Sequence, residues 1–216
     1  MLAHDCIELI NHVFGCARVH VYGSSMGGCV AQHVALLLNS HNRLESLYLA
    51  VTSRGSFVRI FLPQALWRFM VQNFIIKADA EQMIKSLITK CFDEEFLRTE
   101  DSYGKTMKER WVEKWTREYS DWFSFADVEI TSSQCSVFAT HYLSERELSA
   151  LRGRPITVHI AEKDALMPPS KQHELARILK AQVVIFAGGH MGGDADKRRF
   201  QDELLRHLSG ASRGVI

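Results

Sequence analysis

Hydrophobic and polar positions along the chain fall into two repeating kinds of segment. Apolar runs rich in β-branched residues predict four strands, at Val19–Tyr22, Leu44–Thr52, Ile156–Ala161 and Val183–Ala187. Apolar residues at helical spacing predict helices at Leu2–Phe14, after the first strand, at Ser170–Leu179 with Ser170 as N-cap, and at Arg198–Leu208. Strands that are apolar along their length are typical of a sheet covered on both faces. The order of strands and helices therefore predicts an open, mostly parallel α/β sheet.

The segment between the second and third predicted strands has a different composition. All four tryptophans of the chain lie in it, and their helical spacing favours amphipathic helices that bury an aromatic stripe. An aromatic-rich helical insertion between strands also predicts a lid over an apolar pocket. We therefore expect a core formed by residues 1–55 and 148–216 and a helical cap formed by residues 56–147. The helices predicted in this cap are Ala65–Ile76, Ala80–Cys91 and Met107–Tyr119.

A turn of small residues joins the first predicted strand to the helix that follows. Its sequence, Gly23-Ser24-Ser25-Met26-Gly27, matches the nucleophile elbow Gly-x-Ser-x-Gly, in which a sharp turn exposes the serine hydroxyl. We expect that a Cβ at Gly23 or Gly27 would clash with the closely packed backbone. The alternative is a plain glycine-rich turn, but the phosphate-binding patterns G-x-G-x-x-G and G-x-x-x-x-G-K-[ST] are both missing. Ser25 is therefore the candidate nucleophile.

Two further polar residues follow the ends of predicted strands. Asp164 comes three residues after the third strand, and His190 follows Gly188-Gly189 after the fourth. Because functional loops of open α/β sheets meet beyond the carboxyl ends of the strands, these residues are expected near Ser25. The order Ser, Asp, His is also that of the hydrolases built on this elbow. His190 would accept and return the serine proton, and Asp164 would orient the imidazole.

Other side chains compete for the roles of acid and base. Glu162 is the main alternative to Asp164, whereas Asp194 and Asp196 are expected to lie in solvent. His159 lies inside a strand and His173 on a helix, so neither ends a strand. Asp164 and His190 remain the favoured pair.

The charge balance limits the classes of partner. Lys and Arg number 26 against 25 Asp and Glu, so no overall charge favours nucleic acid or an anionic membrane. Five scattered cysteines without C-x-x-C spacing predict free thiols in a reducing compartment, and we expect no metal site. No apolar run approaches the ~20 residues of a membrane span, and the N-terminus lacks a secretory pattern. We expect a cytoplasmic protein that acts on small, neutral or apolar substrates.

The motifs, taken together, resemble capped serine hydrolases of the α/β-hydrolase fold. They are Gly-Ser-Ser-Met-Gly-Gly, Glu-Lys-Asp-Ala-Leu-Met-Pro-Pro and Gly-Gly-His-Met, in that order along the chain. The resemblance implies cleavage of an ester, lactone, thioester or similar acyl bond through an acyl-enzyme, without a cofactor. It also implies that the backbone N–H of Met26 stabilises the oxyanion. Arg54, at the entrance to the cap, is a weak candidate for binding a substrate carboxylate; the other interpretation is a solvated loop cation.

A looser similarity to maspardin-type members of the fold implies the alternative function, which is binding without hydrolysis. Ser25 argues against the haloalkane and epoxide hydrolase mechanisms, which use an aspartate at this position. An inactive, truncated form is the third possibility.

The chain departs from the family pattern ahead of the elbow. It begins one helix before Val19–Tyr22, and no His-Gly donor motif precedes Ser25, so the loop that would supply a second oxyanion donor is missing. Losing one such donor typically costs ~3 to 4 kcal/mol of transition-state stabilisation. The first strand would also have an unpaired apolar edge, which predicts self-association or pairing with another chain. We therefore expect an N-terminally incomplete fold, from a fragment, a shortened isoform or a misplaced start.

Overall fold

A computed structural model describes residues 2–56, 80–124, 136–137 and 140–213 of the chain. The strands within these residues are β1 (Val19–Ser24), β2 (Leu44–Ala50), β3 (Ile156–Ala161) and β4 (Gln182–Phe186). They form one sheet in the order β1-β2-β3-β4, and every neighbouring pair is parallel. The open parallel sheet expected from the sequence is confirmed, and the strand ends lie close to their predicted positions.

Helices cover the sheet, and further helices lie between β2 and β3 in the described part of the chain. In chain order they are α1 (Leu2–Phe14), α2 (Met26–Ser40), α3 (Ala80–Cys91), α4 (Glu94–Arg98), α5 (Met107–Ser124), α6 (Glu145–Ser149), α7 (Pro169–Leu179), α8 (Gly192–Ala195) and α9 (Lys197–Arg213). The bounds of α1 and α3 are those predicted, and the predicted helix Ala65–Ile76 lies outside the described residues. The short helices α4, α6 and α8 were not predicted, because about one turn of helix carries no readable period.

The predicted N-cap of α7 is wrong. The helix begins at Pro169 rather than after Ser170, and its N-cap is Pro168, which makes no side-chain capping hydrogen bond. Proline suits the first helical position because its fixed φ is already helical and its missing N–H would have no intrahelical acceptor there. The helix therefore starts two residues closer to the loop that carries Asp164.

Apolar side chains pack on both faces of the sheet, as the alternation of side chains along a strand requires. Leu47 and Leu49 of β2 belong to the larger cluster, which includes side chains of α2 and α7. Tyr48 and Ala50 point to the opposite face and pack with Phe200 of α9. The helices α3 to α5 build a third cluster of their own. Within the described residues, no helix is long and apolar enough to cross a membrane.

β1 is an edge strand of the described sheet, as predicted. Tyr22 on this strand is half exposed, and the neighbouring helix α1 has no buried residue and exposes Leu9, Val13 and Phe14. Self-association through this edge remains a prediction. The candidate site lies elsewhere, at the carboxyl ends of the strands.

Candidate active site

Ser25 is the single residue between β1 and α2. Its backbone has φ 52° and ψ −122°, which is an unusual conformation for a residue with a side chain. Its N–H donates to the carbonyl of Ala50 at 2.9 Å, and its own carbonyl accepts from the Thr52 hydroxyl at 2.8 Å and from the Gly28 N–H at 3.0 Å. These bonds tie the turn to the end of β2, so the strained conformation is held from both sides.

Only one of the two glycines expected to be sterically restricted is so. A Cβ at Gly23 would lie 2.5 Å from the Ala31 Cβ and 2.6 Å from the Gly27 carbonyl oxygen, so the expected clash holds there. At Gly27 the expectation is wrong, since a Cβ would meet nothing within 4 Å. Gly28 is the second restricted position, because its Cβ would lie 2.6 Å from the Thr52 side chain. Gly27 contributes its carbonyl to the close packing, whereas its Cα faces open space.

The structure brings Ser25, Asp164 and His190 together. Nε2 of His190 lies 2.9 Å from Oγ of Ser25, and Nδ1 lies 2.8 Å from Oδ2 of Asp164. An ionised carboxylate only accepts hydrogen bonds, so Nδ1 carries the proton and the neutral ring has a free lone pair on Nε2. The Ser25 hydroxyl then donates to Nε2. This is the arrangement in which a histidine can remove a proton from a serine.

Asp164 lies in a fully formed hydrogen-bond shell. Its side chain has no exposed surface, its Oδ1 accepts from the N–H groups of Leu166 and Met167 at 2.8 Å each, and its Oδ2 accepts from Gln172 at 3.0 Å. A buried charge needs such partners, because the cost of removing it from water is otherwise large. The shell fixes the carboxylate in the orientation that faces His190.

The competing acids and bases lie elsewhere. Glu162, Asp194, Asp196 and His173 are all exposed, and none of them has a hydrogen bond to His190 or Ser25 in the part of the chain that is described. His159 is buried and stacks on Phe186, with ring centroids 4.0 Å apart. The Ser25, Asp164 and His190 cluster has no rival of similar geometry among the described residues.

Met26 lies at the position expected for an oxyanion donor. It is the first residue of α2, where the N–H groups have no intrahelical acceptor and the helix dipole is positive. A negative charge that forms beside Ser25 would therefore be stabilised at this helix end.

Two thiols near the site remain protonated. Burial raises the pKa of Cys29 to about 11, and burial together with the charge of Asp164 raises that of Cys91 to about 11. Both thiols are thus poor nucleophiles near neutral pH. Within the described ranges, no group of three or more His, Cys, Asp or Glu side chains is placed to hold a metal ion.

Arg54 is engaged within the protein. Its Nε and one terminal nitrogen donate to Oε1 of Glu174 at 3.0 and 2.7 Å, and its guanidinium lies 5.4 Å from the centre of the Tyr142 ring. The interpretation as a solvated loop cation is therefore wrong. The same contacts disfavour a role in binding a substrate carboxylate, because the ion pair with Glu174 would have to be broken first.

Two residues of the site were missed at the level of sequence. Gln172 is fully buried and binds Asp164, and Thr52 is fully buried and binds the Ser25 carbonyl. Thr52 had a usable signal, since it is the polar last residue of the predicted strand Leu44–Thr52, whose carboxyl end faces the site. Gln172 had none, because a glutamine on a helix usually points to solvent.

Solved structures share this fold at low sequence identity. An esterase from Thermogutta terrifontis with malate bound superposes with a TM-score of 0.71 at 22% identity, over 97% of this chain and 71% of the esterase. The enol-lactonase from Burkholderia xenovorans LB400 superposes with a TM-score of 0.68 at 20% identity, over 96% of this chain and 71% of the lactonase. A hydrolase from Pseudomonas aeruginosa PA01 superposes with a TM-score of 0.66 at 20% identity, over 95% of this chain and 70% of that hydrolase. At such identities the likeness concerns the fold alone.

Family membership rests on a separate match. None of the curated proteins matches the chain. The pattern of the alpha/beta hydrolase family, in contrast, matches residues 2–201. Because this match spans most of the sequence and agrees with the sheet and the loops described above, the chain belongs to the alpha/beta hydrolase family.

Proposed function

We propose that this protein is a serine hydrolase that cleaves an ester, a lactone or a similar acyl bond through an acyl-enzyme. Ser25 acts as nucleophile, His190 as general base and acid, and Asp164 as the residue that orients the histidine. The observation that carries the proposal is the position of the His190 ring, with Nε2 2.9 Å from Ser25 Oγ and Nδ1 2.8 Å from Asp164 Oδ2.

In the first half-reaction, Ser25 Oγ attacks the carbonyl carbon of the substrate while its proton moves to Nε2 of His190. The carbonyl π electrons move to the oxygen, which becomes an oxyanion beside the N–H of Met26. Asp164 stabilises the imidazolium electrostatically and keeps its own charge. When the tetrahedral intermediate collapses, the bond to the leaving oxygen breaks and that oxygen takes the proton from Nε2.

In the second half-reaction, water replaces the leaving group. His190 removes a proton from the water, the resulting hydroxide adds to the acyl carbon, and a second tetrahedral intermediate forms. Its collapse breaks the bond to Ser25 Oγ, which recovers the proton from Nε2. The chain supplies every proton transfer with side chains, so the mechanism needs no cofactor.

We infer that residues 56–147 form a cap that shapes an apolar pocket for the acyl or alcohol part of the substrate. The apolar cluster of α3 to α5, with Phe92 from the connection between α3 and α4 and Trp111 from α5, supports this inference, since ligand pockets are predominantly lined by apolar and aromatic groups. Small apolar esters and lactones are the substrate class that we propose. The esterase and lactonase neighbours are consistent with this class.

A fluorophosphonate probe tests the proposal, because it reacts only with a serine that has its base in place. We expect labelling of the wild-type chain and its loss in Ser25→Ala and His190→Ala. Ser24→Ala is the matched control for the nucleophile, and His173→Ala is the control for the base. Short p-nitrophenyl esters should likewise be hydrolysed by the wild type and the two control variants, but not by Ser25→Ala or His190→Ala. A folded wild-type chain that is not labelled would favour the non-catalytic binding function instead.

A further inference from the structure

The loop that carries His190 is bound to the helices that lie between β2 and β3 in the sequence. The N–H of Met191, the next residue, donates to the carbonyl of Cys91 at 2.8 Å. Cys91 is the last residue of α3, and the Met191 side chain packs against the apolar cluster of α3 to α5. The backbone of the histidine loop is thus attached to the corner between α3 and α4, which we call the α3–α4 corner (residues 91–93).

Gly189 marks the closest approach between the loop and this corner. A Cβ at Gly189 would lie 2.8 Å from the Cys91 carbonyl oxygen, 2.9 Å from the Asp93 nitrogen and 3.0 Å from the Phe92 carbonyl carbon. All three are backbone atoms, so no side-chain rotation can relieve the contact. Any side chain at this position would have to push the corner and the histidine loop apart.

The loop that carries the acid is attached to the same corner and to the first turn of α4. Nζ of Lys163, the residue before Asp164, lies 2.9 Å from Glu95 and 3.6 Å from Asp93. The backbone N–H of Lys163 also donates to the carbonyl of Gly188 at 3.1 Å. The acid loop, the histidine loop and the α3–α4 corner therefore form one connected unit.

We propose that the α3–α4 corner sets the position of the His190 ring against Ser25, with Gly189 and Lys163 as positioning residues. The consequence for the rate rests on the proposed hydrolase function. The inference assigns to the helices between β2 and β3 a role beyond lining a pocket, since a displacement of the corner displaces the general base. A misplacement of about 1 Å can reduce a catalysed rate by about 100-fold.

The first test compares the variant Gly189→Ala with the control variant Gly210→Ala on α9, where an added Cβ would meet nothing within 4 Å. Proton NMR of histidine-labelled protein reports the hydrogen bond between His190 and Asp164, because an imidazole N–H bound to a carboxylate resonates at low field. We expect Gly189→Ala to shift or broaden this resonance and to lower the rate of fluorophosphonate labelling by about 100-fold. Gly210→Ala should leave both unchanged.

A second variant covers the case in which Gly189→Ala does not fold. Lys163→Met removes the ion pairs of an exposed lysine with Glu95 and Asp93. Lys171→Met, at a lysine of similar exposure, is its control. We expect the His190 resonance to move in Lys163→Met and the labelling rate to fall about threefold, because exposed ion pairs contribute little individually. For ester substrates, the loss should appear in kcat with KM unchanged, as for a displaced base rather than a damaged pocket.

The outcomes separate this inference from the proposed function. A His190 resonance and labelling rate equal to those of wild type in folded Gly189→Ala, or in Lys163→Met, would overturn the inference while the hydrolase function stood. The resonance can also be measured in Ser25→Ala, which is independent of turnover. A wild-type chain that is never labelled, but whose His190 resonance shifts in Gly189→Ala, would refute the hydrolase function and retain the positioning role.

Discussion

The side-chain amide of Gln172 donates a hydrogen bond of 3.0 Å to Oδ2 of Asp164, the same oxygen that faces His190. Gln172 also donates to the Met167 carbonyl at 2.7 Å, and its own oxygen accepts from the Ala161 N–H at 3.1 Å. One buried side chain thus links the end of β3, the acid loop and α7. The orientation of the acid depends on this link.

Gln172→Leu should destabilise the protein. It leaves two backbone groups and one lone pair of Asp164 without a partner, and each unsatisfied buried group costs about 1 to 3 kcal/mol. We expect a lower urea midpoint and a smaller kcat for esters. Gln201→Leu, at an exposed position of α9, is the control. An unchanged midpoint in Gln172→Leu would contradict the structural role.

Asp164→Asn should abolish most of the activity and keep the fold. An asparagine can donate to Nδ1 and so favours the wrong imidazole tautomer, an effect that costs about 10⁴-fold in kcat in the serine protease triad. Steady-state kinetics with a p-nitrophenyl ester measure the loss. Glu162→Gln, at the exposed rival acid, should retain activity. If Glu162→Gln gave the larger loss, the acid would have been misassigned.

Gly23→Ala and Gly27→Ala should have opposite effects on stability. At Gly23 the added Cβ overlaps Ala31 and the Gly27 carbonyl, and such overpacking costs about 1 to 3 kcal/mol or more. At Gly27, the second residue of α2, alanine meets no neighbour and gains part of the about 1 kcal/mol of helix propensity that applies in a helix interior. Thermal unfolding of both variants checks the difference. Equal destabilisation would contradict the geometry of the turn.

The stability of the protein should fall with acid through two histidines, the buried His159 and the partly buried His207. Burial, helped by Arg199, lowers the pKa of His159 to about 4, and burial together with His20 lowers that of His207 to about 4. In the unfolded chain both histidines have pKa values near 6.5. Between pH ~4 and ~6.5 the unfolded chain therefore binds more protons than the folded protein does. Their stabilising contribution is therefore complete above pH ~6.5 and is lost as pH falls toward ~4.

His159→Phe tests this pH dependence. The ring nitrogens of His159 are buried without a hydrogen-bond partner among the described residues, so an apolar ring of similar shape should fit beside Phe186. We expect the variant to retain about 3 kcal/mol more stability at pH 4, relative to pH 7, than the wild type does. His173→Phe, at an exposed position, is the control. The free energy of unfolding is measured with urea at several pH values between 4 and 7. If it fell by the same amount with acid in the variant and in the wild type, His159 would not be the source of the pH dependence.

Arg54→Met should lower stability without changing KM. It breaks the ion pair with Glu174, which is about one quarter exposed, and Glu174→Gln should have a similar effect. Urea unfolding measures the first effect, and kinetics with a neutral and a carboxylate-bearing ester measure the second. A KM that rose for the carboxylate ester alone would restore Arg54 as a substrate-binding residue.

The sequence alone determined the parallel sheet and the order of the candidate site residues. Both follow from local signals, since apolar β-branched runs form buried strands and small residues allow sharp turns at their ends. Ser25, Asp164 and His190 could therefore each be chosen from the few residues beside them. The start of α7 was misplaced, because Ser170 and Pro169 are both good helix beginnings and only the chain path selects between them.

Only the tertiary structure decided which side chains support these residues. The clash at Gly28 rather than Gly27 depends on Thr52 of another loop, and the pairing of Arg54 with Glu174 joins residues far apart in sequence. Likewise, Gly189 is restricted by the α3–α4 corner and not by its own neighbours. A local pattern specifies the conformation of a segment, whereas packing between distant segments depends on how the whole sheet brings them together, and this leaves no period or motif in the sequence.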